Sequence, residues 1–119
     1  MRVEFDVPCH PECRDDADRR RMDWYFPDAP NGAGILFVHG GGWRGGGREQ
    51  WRPVAEHFQA RGFLCGSAGY RRVPDAVFPA VFDDVRRAAA VFKSRAVRSG
   101  VRADRIAAVG SSAGGHLAA

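Results

Sequence analysis

The sequence predicts an α/β fold with a mostly parallel sheet and helices on both faces. After residue 34, short apolar runs alternate with segments of helical periodicity. Strands that alternate with helices form right-handed βαβ units, and their strands lie parallel. The run Ile35–Val38 is continuously apolar, which is typical of a strand covered on both faces.

Composition narrows the class of protein. The 119 residues are 45% hydrophobic and 27% charged, which indicates a single folded domain over 1–119. The net charge of +4 comes from scattered arginines without interleaved aromatics, so we expect no nucleic-acid partner. We expect no membrane span, and the start of the chain, residues 1–6, lacks the apolar core of a signal peptide. A cytoplasmic location is therefore expected, and the oligomeric state is left open.

Two strands are predicted before the βαβ region. Residues 2–7 alternate between apolar and polar side chains, which predicts a half-buried edge strand. Its inward side is predicted to consist of Val3, Phe5 and Val7. A loop over 8–20 leads to a second strand over 21–27, which Pro27 stops. We expect these two strands to be antiparallel.

The first helix is predicted to begin near Gln50 and to end at Gly62. Its apolar face is predicted to be Trp51, Val54, Ala55 and Phe58. Residues 63–70 form the next predicted strand, although two glycines interrupt it.

A second amphipathic helix is predicted after a loop over 71–79. Its apolar face is predicted to be Val81, Phe82, Val85, Ala88, Ala89 and Phe92. Its outer face is predicted to be Asp83, Asp84, Arg86, Arg87 and Lys93. A polar connector over 95–104 then leads to a buried strand over 105–109.

Two glycine-rich segments follow predicted strands. Gly110–Gly114 has the form G-x-S-x-G, in which a sharp strand-to-helix turn exposes a nucleophilic serine. Residues 40–47 follow the strand Ile35–Val38. Because the carboxyl ends of parallel strands share one sheet edge, both segments can meet there. Backbone N–H groups of the glycines and of Ala113 could then stabilise the oxyanion formed in acyl transfer.

For the glycine-rich segment over 40–47, a nucleotide-binding loop is the competing interpretation, because Gly40–Gly45 matches G-x-G-x-x-G. Trp43 and a second glycine run stand where the helix should begin, and no acidic residue occurs between Arg61 and Arg72 to bind a ribose. A structural connector without a ligand is the other alternative.

The cysteines predict neither a disulfide framework nor a metal centre. The run Cys9–Cys13 offers at most three ligands, and no second Cys/His cluster completes a tetrahedron. Cys65 is predicted to be a small buried side chain.

Several motifs together resemble the α/β-hydrolase superfamily, within its acetyl esterase/lipase group of hormone-sensitive-lipase-like and BD-FAE-type carboxylesterases. The resemblance runs in order from about residue 21 to 119. The motifs are Arg21–Pro27, His39–Trp43, Tyr70–Arg71, Phe78–Pro79, Asp83–Val85, Asp104–Ile106 and Gly110–Ala118.

This resemblance implies roles for individual residues. Ser112 would be the catalytic nucleophile, and the N–H groups of Gly41, Gly42 and Ala113 would form the oxyanion hole. The remaining motif residues would be structural: His39, Gly40, Trp43, Gly110, Gly114, and Asp83 or Asp84. The implied activity is carboxylic-ester hydrolysis of a small-molecule ester through an acyl-enzyme, without cofactor or metal.

Ser111 stands where many lipase-like members carry an acid, which favours the BD-FAE side of the group. An arylformamidase-like amide hydrolase shares the His-Gly-Gly-x-Trp loop and is the related alternative. A non-catalytic binding module on the same fold is the alternative of a different class.

The resemblance implies a triad in the order Ser, Asp or Glu, His. His10 and His57 come too early in the chain, and His116 is one helical turn past Ser112. We therefore expect the acid and base beyond Ala119. The chain is then the N-terminal half of an α/β-hydrolase domain, its last strand an exposed edge, with little activity by itself.

Overall fold

The computed structural model describes residues 2–10, 20–39, 48–70 and 80–110. Strands and helices follow each other in the predicted order. The strands are β1 (Arg2–Pro8), β2 (Arg21–Phe26), β3 (Gly34–Val38), β4 (Leu64–Ala68) and β5 (Ile106–Gly110). The helices are α1 (Arg52–Gln59), which follows a 3₁₀ turn over Arg48–Trp51, and α2 (Ala80–Arg98).

The five strands form one mixed sheet in the order β1-β2-β4-β3-β5. Strand β3 pairs in parallel with β4 on one side and with β5 on the other. Strand β2 is antiparallel to both β1 and β4. The prediction of an α/β fold with a parallel core and two antiparallel strands before it is confirmed.

The helices cover opposite faces of the sheet. Successive side chains of a strand point to opposite faces, so each buried strand contributes to two clusters. The cluster with α2 contains Met22, Trp24, Leu36, Leu64, Ala68, Ala88, Phe92 and Ala96. The cluster on the α1 side contains Tyr25, Ile35, Phe37, Ala55 and Cys65.

Strand β1 departs from strict alternation. Its pairing with β2 shifts between Glu4 and Val7, and Asp6 adopts a left-handed backbone with φ of 59°. An extra residue in one strand breaks the two-residue period. Phe5 is consequently 48% exposed, so the prediction that it points inward was wrong, whereas Val3 and Val7 are half-buried as predicted.

The buried face of α1 includes a polar residue that periodicity missed. Val54 is exposed, contrary to the prediction, and Gln59 is buried. The side-chain amide of Gln59 donates to the carbonyl oxygens of Arg2, at 3.1 Å, and Phe26, at 3.0 Å. The helix ends before Gly62, which has φ of +95° as a terminating glycine should.

Helix α2 is longer than predicted and its faces are partly reversed. It runs to Arg98, so residues 95–98 are helical rather than part of a connector. Asp84 is buried and Ala89 is exposed, the opposite of the prediction for each. The side chains of Val81 and Phe82 lie outside the described residues.

Arg95 explains why the end of α2 stays packed although its sequence is polar. Its guanidinium donates to both carboxylate oxygens of Glu4, at 2.9 and 3.0 Å, and lies 4.7 Å from the ring centroid of Trp24. An arginine can stack on an aromatic face and bind a carboxylate at the same time. The helix end is therefore attached to β1 and β2.

Strand β5 has the apolar sequence of a buried strand, but its middle residues, Ala107 to Val109, are exposed, which agrees with the expectation that the last strand is an exposed edge. Within the part of the chain that the structure describes, β3 is its only partner strand. Its position at an edge of this sheet explains the exposure, because an edge strand has a neighbour on one side only.

Gly66 lies where α2 crosses β4, and this contact yields a stability prediction. A Cβ atom on Gly66 would lie 2.6 Å from Cδ1 of Phe92 and 2.8 Å from Sδ of Met22. Gly66→Ala is expected to lower the free energy of unfolding by about 1–3 kcal/mol, because both side chains must move. Urea denaturation measures the change.

Gly34→Ala is the matched control, since its added Cβ would meet its nearest neighbours at 3.4 Å, an ordinary contact distance. Both substitutions reduce the freedom of the unfolded chain equally. Equal stability of the two variants would contradict the close approach at Gly66.

Candidate active site

The carboxyl ends of three parallel strands lie side by side. Val38, the last residue of β3, is in register with Ala68 of β4 and with Gly110, the last residue of β5. The segments that follow Val38 and Gly110 therefore leave the sheet from neighbouring strands at the same edge. Ligands of open α/β sheets bind outside this edge.

Most of the predicted site residues fall outside the described residues. They are Gly40, Gly41, Gly42, Trp43, Ser112, Ala113 and Gly114. Of the predicted set, the structure places His39, immediately after β3, Gly110, which ends β5, and Asp83 and Asp84 in α2. The roles assigned to all of these residues stay predictions.

His39 is buried where the glycine-rich segment begins. Its side chain is stacked on the ring of Tyr70, with 4.2 Å between ring centroids and an interplanar angle of 5°. The hydroxyl of Tyr70 donates to the main-chain carbonyl oxygen of His39 at 2.8 Å. Both residues are at most 1% exposed, so the start of the segment is anchored in the interior.

Arg48 lies at the other end of that segment and is also anchored. Its Nε donates to Oδ1 of Asp23 at 3.2 Å, and its carbonyl oxygen accepts from the hydroxyl of Ser67 at 2.7 Å. Sequence analysis assigned no role to these three residues. The available signal was Asp23 itself, a charged residue between Met22 and Trp24 in an apolar strand.

Cys65 and His57 are described residues that could act as a nucleophile or a base, and both lie away from this edge. Burial raises the pKa of the Cys65 thiol to about 12, which disfavours the nucleophilic thiolate at neutral pH. His57 is exposed in the last turn of α1, where its carbonyl accepts from Arg61 at 3.0 Å. Cys65 is the small buried side chain that the sequence predicted.

Tyr25 is a residue of β2 whose side chain belongs to the core cluster on the α1 side of the sheet. Desolvation, together with the nearby Asp23 carboxylate, raises the pKa of Tyr25 to about 12. Its buried hydroxyl has no hydrogen-bond partner within the described ranges. Tyr25 and Tyr70 can therefore be compared as two buried tyrosines, of which only Tyr70 has a described hydrogen bond from its hydroxyl.

No group of three potential metal ligands occurs among the residues that the structure describes. Of the cysteine run considered above, Cys9 is buried against the α2-side core, whereas Glu12 and Cys13 lie outside the described residues. In the described part of the chain, neither helix is both long and apolar enough to cross a bilayer.

The family model described as BD-FAE matches residues 22–119. The chain belongs to the BD-FAE family. The predicted resemblance to the BD-FAE type is thereby confirmed, and the match includes both glycine-rich segments.

Curated relatives agree with the BD-FAE assignment. The probable carboxylic ester hydrolase LipM of Mycobacterium tuberculosis is 38% identical over 98 residues, covering 79% of this chain and 23% of LipM. The carboxylesterase NlhH of the same species is 36% identical over 86 residues, covering 71% of this chain and 27% of NlhH. This BD-FAE chain thus spans roughly a quarter of the length of these relatives.

Solved structures support the same fold for this BD-FAE chain. A thermophilic esterase, Est2 of Thermogutta terrifontis, superposes with a TM-score of 0.74 at 34% identity, covering 82% of this chain and 37% of the esterase. Esterase B of Lactobacillus rhamnosis gives a TM-score of 0.85 at 23% identity, covering 98% of this chain and 38% of that structure. The second likeness concerns the fold alone.

The anchor at His39 yields a prediction that uses the two buried tyrosines. Tyr70→Phe keeps the ring stack and removes the donor to the His39 carbonyl, so we expect a loss of about 1–3 kcal/mol in the free energy of unfolding. Tyr25→Phe removes a buried hydroxyl without a described partner and is expected to be neutral or stabilising. Chemical denaturation of both variants measures the difference. Equal losses would show that the Tyr70 bond contributes nothing.

Proposed function

We propose that the whole protein is a serine carboxylic-ester hydrolase that acts through an acyl-enzyme at Ser112. The observation that carries the proposal is the register of β3 with β5, in which Val38 and Gly110 are direct neighbours. Three peptide links separate Val38 from Gly41, and two separate Gly110 from Ser112. The segments that contain the proposed nucleophile and the proposed oxyanion donors thus begin at neighbouring strand ends on one edge of the sheet.

The chemistry follows from this placement. The Ser112 hydroxyl oxygen attacks the ester carbonyl carbon and gives up its proton to a base. The carbonyl oxygen becomes an anion, and the N–H groups of Gly41, Gly42 and Ala113 stabilise it. The alcohol leaves with a proton and an acyl-serine remains. Water then attacks that ester, releases the carboxylic acid and restores the serine.

The triad acid and base belong to the whole protein in this proposal. The chain has four histidines, His10, His39, His57 and His116, and the resemblance assigns the triad base to none of them. His39 is buried against Tyr70, and His57 lies in the last turn of α1. An unassisted serine is a poor nucleophile, so residues 1–119 alone are expected to show little specific turnover.

Relatives favour an ester over an amide as substrate. LipM and NlhH are both named as ester hydrolases, and esterase 2 of Thermogutta terrifontis, 33% identical, was solved phosphorylated by paraoxon. An arylformamidase-like activity is the alternative. Parallel rate measurements on p-nitrophenyl acetate and on a formanilide separate the two, and faster turnover of the amide would favour the alternative.

Ser112→Ala tests the proposed nucleophile. We expect hydrolysis of p-nitrophenyl butyrate by the whole protein to fall by about 10³-fold or more, because the acyl-enzyme cannot form. Paraoxon should add one diethylphosphoryl group to the peptide that contains Ser112, and the alanine variant should remain unlabelled in mass spectrometry.

Ser111→Ala is the matched control, since it makes the same side-chain change one residue earlier. It should retain turnover within a few-fold of the unsubstituted protein. Unchanged hydrolysis in Ser112→Ala would refute the proposal. Absence of turnover and labelling in the unsubstituted protein would favour the non-catalytic binding module.

A further inference from the structure

Asp23 is a charged side chain inside the sheet and therefore needs partners. It lies in the middle of β2 and is 5% exposed. A buried carboxylate is costly unless charged or N–H groups satisfy it. Its Oδ1 accepts from Nε of Arg48 at 3.2 Å and from the main-chain N–H of Asp6 at 3.0 Å.

The bulge in β1 supplies a second acid to the same arginine. The left-handed residue Asp6 turns its N–H toward Asp23, and its own carboxylate pairs with Nη2 of Arg48. Arg21 donates to the carbonyl oxygen of Asp6 at 3.0 Å and so fixes the bulge. The Arg48 side chain is only 16% exposed although it carries a charge.

Ser67 holds the main chain of Arg48. It is fully buried in β4 and is the cross-strand partner of Asp23. Its hydroxyl donates to the Arg48 carbonyl oxygen at 2.7 Å. An ordinary surface ion pair constrains only the side chain. Here the side chain and the backbone of Arg48 are both held, by Asp23 and by Ser67. The pairing of β2 with β4 fixes the distance between these two partners.

Strand β4 and the residues just after it bind both ends of the glycine-rich segment over 40–47. Ser67 of β4 binds Arg48, and Tyr70, two residues past the end of β4, binds His39. Between these ends lie residues 40–47, of which six are glycine. Glycine loses more backbone freedom on ordering than any other residue. Fixing the ends reduces the range of conformations that such a segment can adopt.

From this geometry we propose that Arg48 is a positioning residue for catalysis. Held by Asp23, Asp6 and Ser67, it fixes the downstream end of residues 40–47 and thereby aligns the N–H groups of Gly41 and Gly42 on the oxyanion. The inference rests on the proposed ester hydrolysis. A buried ion pair by itself adds little stability, which agrees with a role in geometry.

The test compares variants of the whole protein in steady-state hydrolysis of p-nitrophenyl butyrate, below their unfolding temperatures. Arg48→Met should lower kcat about 10–100-fold and leave KM within threefold, because misplaced donors weaken transition-state binding only. Arg48→Lys keeps the charge without the two-nitrogen contact and should give an intermediate kcat.

Arg95→Met is the control, since it makes the same side-chain change at an arginine of another ion pair, the partly exposed one with Glu4, next to Trp24 on the α2 side. It should keep kcat within about twofold. A fall in kcat in Arg95→Met equal to that in Arg48→Met, or an unchanged kcat in Arg48→Met, would overturn the proposal.

Hydrogen exchange of the peptide over 40–47 provides a readout that does not depend on activity. Arg48→Met and the milder Ser67→Ala should each raise its exchange rate at least about fivefold, with no change caused by Arg95→Met. If Arg48→Met does not fold, Arg48→Lys and Ser67→Ala carry the comparison.

The two readouts separate the inference from the proposed function. Absence of ester turnover in the unsubstituted protein refutes the proposed function, and faster exchange confined to 40–47 would then still support anchoring by Arg48. Unchanged exchange in both Arg48→Lys and Ser67→Ala overturns the anchoring itself.

Discussion

The structure depends on the parallel pairing of β3 with both of its neighbours. Gly34–Val38 is hydrogen-bonded on two edges and covered on two faces, so every residue of this strand is buried. Such a strand cannot shift by one residue without moving its side chains to the wrong faces. The register therefore places Val38 between Ala68 and Gly110. The two glycine-rich segments come directly after the neighbouring strands β3 and β5.

Buried polar side chains bind main-chain groups of segments that are distant in sequence. Gln59, Ser67 and Tyr70 each donate to a main-chain carbonyl oxygen of a distant segment. Each of these bonds is worth little in net free energy, but loss of the donor leaves a buried acceptor unpaired, which costs more.

Membership of the BD-FAE family and the geometry of the sheet edge concern the same part of the chain. The family match covers residues 22–119, which include both glycine-rich segments and every strand except β1. This region contains the predicted nucleophile elbow and the predicted oxyanion donors. Strand β1 lies outside the match, yet its bulge supplies Asp6 to Arg48. A residue outside the matched region thus takes part in holding a segment inside it.

The sequence by itself determined the fold class and the order of the elements, because hydrophobic periodicity is a local signal. The order of its motifs also gave the resemblance to the family that the family match confirms. The sequence also located the candidate elbow around Ser112. Only the tertiary structure decided which strands are neighbours, that Phe5 faces outward, and that Asp84 and Gln59 are buried. The anchoring of Arg48 by Asp23 and Ser67 was equally invisible, since it joins residues 19 and 25 positions apart. Such contacts depend on how strands pair in space, and a local sequence pattern does not predict that pairing.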